Sequence, residues 1–241
     1  MPARRTAPSM PATGTQLRFG AVLALLEAAT PAASLDGNAT VTTDYVWRGS
    51  TQSQGAPALQ VGFRLSGDRG LYASAWGSSI RFAPELDAGI ELDMTLGWSK
   101  PLSDDWAVDV NLLRYAYPRT SVDLDWTELN GTLTWRSRCW LSAGWSNQAL
   151  GHDHSGLYAQ VGARFPLNDR FRLEAMLSHY FLSRDAVARS GYTHAQLSAI
   201  WALHAPLELR LSGHATEREA KAIFGDDSAG SRVEAALQAT F

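Results

Sequence analysis

The chain of 241 residues has a single cysteine, Cys139. One cysteine cannot form an internal disulfide framework or a cysteine-based zinc site. Lysine is almost missing: all but Lys100 and Lys221 of the 21 basic residues are arginine. The net charge is only −3, and no basic block marks a nucleic-acid partner. Past residue 35 there is no run of about 18 strongly apolar residues, so the sequence holds no transmembrane helix beyond that point. A Gly-rich phosphate loop, a Walker motif and a dinucleotide fingerprint are also missing. None of these absences excludes a transmembrane β-barrel, whose average hydropathy is ordinary.

Residues 1–34 differ in character from the rest. Arg4, Arg5 and Arg18 precede a short apolar run, Phe19 to Leu26, and small residues follow from Ala28 to Ser34. That order is expected of a secretory signal peptide, here cleaved near Ala33 or Ser34. It leaves 35–241 as the exported domain. An exported chain with one cysteine fits bacterial export better than a disulfide-stapled secreted fold.

From about residue 38 the apolar residues recur with period two. Between 86 and 99, Leu86, Ala88, Ile90, Leu92, Met94, Leu96 and Trp98 alternate with polar or very small residues. Successive strand side chains point to opposite faces, so one face is apolar and the other polar. A helix would mix the two sets. The pattern predicts twelve strands, centred on 41–47, 59–65, 71–80, 86–99, 106–112, 123–135, 139–145, 157–165, 171–181, 192–203, 207–213 and 233–241. Tyr115 and Tyr117 fall out of step with the fifth strand and suggest a bulge near Leu113.

Connections after even-numbered strands are short, as at Gly67–Gly70 and His204–Ala205. Those after odd-numbered strands tend to be longer, as at Arg48–Ala56 and Glu217–Ala229. Short periplasmic turns and longer outer loops are the habit of outer-membrane barrels. A soluble barrel would carry its apolar phase inside. Here the polar phase is rich in Gly, Ser, Thr and opposite charges, which suits a confined interior. Trp47, Trp98, Trp106, Trp135, Trp145, Phe165, Phe171 and Phe181 sit near strand ends, where interfacial aromatic girdles form. The expected fold is an all-β transmembrane antiparallel up-and-down barrel.

The segment Asp44-Tyr45-Val46-Trp47-Arg48-Gly49-Ser50-Thr51-Gln52-Ser53 resembles the opening motif of the TorF-type porins, a bacterial outer-membrane family of poorly defined function. Pro57-Ala58-Leu59-Gln60, the stretch Gly70–Ser79, Glu91-Leu92-Asp93, Tyr115-Ala116-Tyr117-Pro118 and Trp126-Thr127-Glu128 extend it in order. The resemblance implies a channel-like barrel in the outer membrane of a Gram-negative bacterium. It brings no catalytic residue and no cofactor. Phe241, the last residue, looks like the C-terminal aromatic that the barrel-assembly machinery reads. The other expected partners are outer-membrane lipids and small solutes.

The polar phase supplies the candidate lumen and constriction residues: Asp44, Arg48, Gln52, Gln60, Arg64, Glu91, Asp93, Arg164, Arg172, Glu174, Arg210 and Glu234. Asp87, Asp109, Glu208 and Arg232 join them in the charge balance. Mixed signs predict weak ion selectivity with a mild cation preference, unless the charges pair and occlude the pore. Asp44 and Arg48 would enter the lumen from the first strand, either as a constriction or as partners of charges on the second and twelfth strands that fix barrel closure. Two other readings stay open. Arg and carboxylates bridging the strands would make a closed interaction barrel that displays its loops. A lipid-modifying barrel enzyme would need a nucleophile, and Ser212 and His214 are the only candidate pair that shares a face, able to approach Glu234 on the next strand if the register allows. Alternate loop residues His152 and His154 lack a third metal ligand in view.

Overall fold

The computed structural model describes residues 33–82, 86–184, 187 and 189–241. The expected signal peptide, 1–34, lies outside them except for Ala33 and Ser34. The strands are β1 (Ser34–Thr42), β2 (Val46–Trp47), β3 (Ser50–Thr51), β4 (Ala58–Ser66), β5 (Leu71–Ser79), β6 (Ile90–Pro101) and β7 (Trp106–Ala116). They continue with β8 (Trp126–Trp135), β9 (Cys139–Ser146), β10 (Gly156–Pro166), β11 (Phe171–Leu182), β12 (Gly191–His204), β13 (Leu207–Thr216) and β14 (Arg232–Thr240). One helix, α1 (Arg218–Phe224), lies between β13 and β14.

Twelve of the strands, β1 and β4 to β14, form a closed barrel in which chain neighbours pair antiparallel. The pair β2–β3 stands apart. Closure is made by β1 against both β4 and β14, with Asn38–Thr42 opposite Thr240–Ala236. Phe241 continues this seam. Its backbone exchanges hydrogen bonds with Gly37, at 2.6 and 2.9 Å, and its ring meets Phe63 edge-on. A side chain at Gly37 would collide with that ring, which is why the seam needs glycine there.

The period-two pattern decides the two faces. Leu59 and Phe63 of β4, Leu92, Met94 and Leu96 of β6, and Leu207, Leu209 and Leu211 of β13 all point outward and are exposed. The polar phase points inward, with Glu91, Glu128, Ser198 and Ser212 fully buried. An apolar exterior on every wall is far beyond the few hundred Å² that a water-soluble monomer tolerates, and acyl chains are the medium that matches it. Strands of 8 to 14 residues are long enough to cross the hydrocarbon layer when tilted. Trp98, Trp106, Trp135, Phe165 and Phe171 face outward near the end with short turns, and Trp145 and Phe181 near the end with long loops. The short turns are self-capped: Phe171 N–H donates to Asn168 Oδ1 at 2.9 Å, and Trp106 N–H to Ser103 Oγ at 3.2 Å.

Four expectations need correction. The first strand does not run on to Trp47; it stops at Thr42, and residues 43–57 turn into the barrel. Arg48 and Gly49 both have positive φ, 48° and 85°, and so make the two-residue turn of the β2–β3 hairpin. Tyr45 and Trp47 consequently lie inside, and Trp47 is not part of a girdle. The expected bulge near Leu113 is not there: β7 pairs with β6 and β8 in unbroken register, and Tyr115 simply belongs to the inward phase. The observed register shift is in β12, between Ala202 and His204. The fourth and sixth barrel strands begin at Ile90 and Trp126, later than their patterns suggested, which leaves Asp87, at φ 49°, in a loop.

Candidate functional site

The lumen has three levels, set by which inward residues each strand brings to which end. At the long-loop end is a mouth cavity of about 400 Å³. The β2–β3 hairpin forms its floor, and Phe82, Tyr117, Trp126, Leu150 and Phe224 of α1 contribute to its apolar wall. Gln52 lines it too and hydrogen-bonds Ser50 O at 3.3 Å, so it is a hairpin residue rather than a barrel-wall residue.

Beneath the mouth the hairpin is latched to the wall. Arg48 reaches across the barrel to Glu128 on β8 with two hydrogen bonds, 2.9 and 2.6 Å. Its guanidinium also lies over the rings of Trp47, Tyr158 and Tyr180, at 4.5, 4.0 and 4.9 Å from their centroids. Burial works against this charge, but the paired Glu128 carboxylate holds the Arg48 pKa above its ordinary value. The hairpin carbonyl of Arg48 accepts from Tyr192 Oη at 2.9 Å. Asp44 makes the second latch. It accepts from Arg232 on β14 at 3.1 Å and from the Thr51 and Ser53 hydroxyls of its own loop. The expected pairing of Asp44 with the last strand is present, whereas Arg48 finds its partner on β8 and not beside the closure seam.

Glu234 accepts from Thr42 Oγ1 at 2.8 Å and lies 3.3 Å from His214 Nε2. His214 Nδ1 in turn lies 3.2 Å from His194 Nε2. Ser212 does not join them: its hydroxyl meets Ser198 Oγ at 2.9 Å. The candidate set is therefore a structural polar chain with its hydroxyl turned elsewhere. Glu91 and Asp93 face inward from β6, and Gln60 from β4 at the level of Thr40 and Ser78.

Toward the short-turn end the lumen is charged and reached by water. Arg172 grips Glu208 with two hydrogen bonds of 2.7 Å. Glu174 accepts from Arg164 at 2.8 Å and Arg210 at 3.1 Å, with Arg172 at 3.4 Å. On the facing sector Arg64 stacks on Tyr72, 3.4 Å from its ring centre, with Asp109 at 4.0 Å. Asp109 also accepts from Tyr72 Oη and Asn111. Twelve candidate residues named from sequence thus split into the hairpin set (Asp44, Arg48, Gln52), the upper wall (Gln60, Glu91, Asp93, Glu234) and the lower charge lattice (Arg64, Arg164, Arg172, Glu174, Arg210).

The residues that sequence reasoning missed are Glu128 and the aromatic lining, Trp76, Tyr115, Trp126, Tyr158, Tyr180 and Tyr192. The signal was present, since each lies on the polar phase of its strand, where an aromatic has no lipid to meet. Among the described residues, no three His, Cys, Asp or Glu converge on one point, and His152 and His154 remain loop residues.

Residues 26–241 match the model of a family described as "Bacterial protein of unknown function (Gcw_chp)". No curated protein sequence matches the chain. Among solved structures, the chain is similar to the NanC porin, with a TM-score of 0.56 and 12% identity over 86% of this chain and 99% of that one. It is similar to the KdgM porin, with a TM-score of 0.54 and 6% identity over 87% of this chain and 99% of that one. The same porin in complex with disordered oligogalacturonate gives 0.53 at 5% identity, over 87% and 99%. At these identities the likeness is one of fold: a porin-like barrel.

Proposed function

The chain belongs to the Gcw_chp family, and with a barrel of porin fold as the further premise, we propose that it is a non-enzymatic outer-membrane channel for small hydrophilic solutes. The observation that carries this reading is the lower lumen: Arg172, Arg210, Arg64 and Asp109 have a quarter to two-fifths of their side chains in contact with water inside a barrel whose exterior is apolar. A barrel built only to display loops has no need of a wet, charged interior. Twelve strands give a bore between filled eight-stranded barrels and open sixteen-stranded porins.

In this reading the short-turn end faces the periplasm and the hairpin closes the outer half, so passage requires the hairpin to yield. The Asp44–Ser53 motif builds that hairpin, and the kinship with TorF-type porins that the motif suggests is part of this reading. Residues 1–34 serve as the export signal of a Gram-negative protein, and Phe241, at the closure seam, is the residue offered to the assembly machinery. Lumen residues of both signs, mostly paired, favour neutral or weakly charged solutes with a mild cation preference.

Liposome swelling tests the channel. Vesicles holding the refolded protein should swell in isotonic solutions of small neutral sugars, faster for smaller ones. Vesicles that swell no faster than protein-free controls would contradict the proposal.

A further inference from the structure

Almost every inward carboxylate of the barrel has a partner. Asp44 has Arg232, Glu128 has Arg48, Glu234 has Thr42 and His214, and the lower acids have their arginines or Tyr72. Glu91 and Asp93 are the exception: neither meets a cationic side chain, and each keeps one buried oxygen without a hydrogen-bond partner. They stand two residues apart on the inward face of β6, and no Arg, Lys or His reaches either within 4.0 Å among the described residues. Glu91 is 1% exposed; its Oε1 accepts from Tyr117 Oη at 3.0 Å, while its Oε2 is buried with no hydrogen-bond partner. Asp93 Oδ1 is likewise buried and without a partner. A carboxylate taken from water with neither a donor nor a counter-charge is strongly disfavoured.

The surroundings say what would restore balance. Ser78 stands opposite Glu91, and Trp76 and Tyr115 stand opposite Asp93 on the two neighbouring strands. Tyr45 of the inward loop packs on Trp76, at 5.5 Å between ring centres. Burial first, and then the charges of Glu91 and Asp93, hold the Tyr45 and Tyr117 phenols protonated above the usual tyrosine range. The nearest donors are thus two carboxylates, neutral hydroxyls and no sulfur or imidazole. An all-oxygen set that carries two negative charges once a cation displaces its protons selects a hard divalent cation, and Ca²⁺ tolerates such an irregular shell better than Mg²⁺.

We propose that Glu91 and Asp93 form a binding site for a hard divalent cation of the Ca²⁺ type, in the upper lumen beside Tyr45 of the inward loop. With two protein carboxylates, the rest of the shell is hydroxyl or water. The affinity should fall on the order of 10⁻⁴–10⁻³ M, as in hydrated extracellular sites. Occupancy would also tie the loop to the wall through Tyr45. The site does not depend on solute passage, so it stands or falls apart from the channel reading.

Tb³⁺ titration of the folded full-length barrel in detergent tests the site, because Trp76 and Tyr45 are placed to sensitise Tb³⁺ emission. Native protein should give saturable emission that Ca²⁺ displaces. Asp93→Asn and Glu91→Gln should each weaken binding at least tenfold, while Asp109→Asn in the lower lumen should leave it unchanged. Asp93 is the less buried of the pair, so Asp93→Asn decides the matter should Glu91→Gln fail to fold. Trp76→Phe should dim the emission while calorimetry still records Ca²⁺ binding. Native protein that binds no Tb³⁺ at neutral pH, as a proton shared by the two carboxylates would give, overturns the proposal. Binding that survives Asp93→Asn overturns it as well.

Discussion

Arg48→Met should be among the most damaging single changes in the upper lumen, and a second substitution should partly repair it. The side chains of Arg48 and Glu128 are 9% and 1% exposed, so both charges are out of water. Arg48→Met removes two charge-assisted hydrogen bonds and three ring contacts, and it strands the Glu128 carboxylate. Breaking a buried pair from one side costs about 3–5 kcal/mol, most of it from the uncompensated charge. Glu128→Gln is gentler, about 1–3 kcal/mol, because the amide oxygen still accepts from the guanidinium. In the double variant no charge remains buried, and it should be more stable than Arg48→Met alone by about 1–3 kcal/mol. The assay is reversible urea unfolding from lipid vesicles, followed by tryptophan fluorescence and read as a double-mutant cycle. Arg48→Met within about 0.5 kcal/mol of native, the usual range of neutral surface changes, would refute the latch. So would a double variant less stable than Arg48→Met.

Leu92→Arg places a charge on the lipid face and should cost about 2–4 kcal/mol in vesicle unfolding if it lies near the midplane, with Thr95→Arg on the lumen face costing less. Gly49→Ala should weaken the hairpin, since a Cβ there would meet Thr216 Cγ2 and, at 2.8 Å, His194 Cδ2, on a backbone of φ 85°. The check is faster proteolysis within residues 43–57. Glu174→Gln removes the negative charge shared by Arg164, Arg172 and Arg210. The reversal potential in a salt gradient should then move toward the chloride potential.

Much of the barrel could be read from the sequence because period two is a local signal. Every outward Leu or Val between β4 and β14 lies on its apolar phase, and the strand count and the loop-length alternation follow from it. The site was harder. Asp44 is legible as a lumen residue paired with the last strand, but the partner of Arg48 is not, since Glu128 is 80 positions away and its pairing depends on how the hairpin folds inward. The misreading began at Tyr45 and Trp47, whose alternation continues that of Val41. Positive φ values at Arg48 and Gly49 convert the continuation into a hairpin, and alternation alone does not signal them. Tyr115 was misread for a related reason: an inward aromatic on a polar phase looks like a bulge until the lumen is known to hold a packed hairpin.

If the polar lumen conducts and the 43–57 loop closes its outer half, fixing that loop must silence the channel. Ser50 bridges Ala229 in the loop that carries α1. A cysteine pair at these two positions, in a Cys139→Ser background, would therefore fix the hairpin when oxidised. Single-channel recording across planar bilayers should show brief stepwise currents for the native barrel, silence for the oxidised pair, and return of the steps on reduction. Currents that are the same in the oxidised and reduced states, or silence in the native barrel under every voltage applied, would contradict this reading.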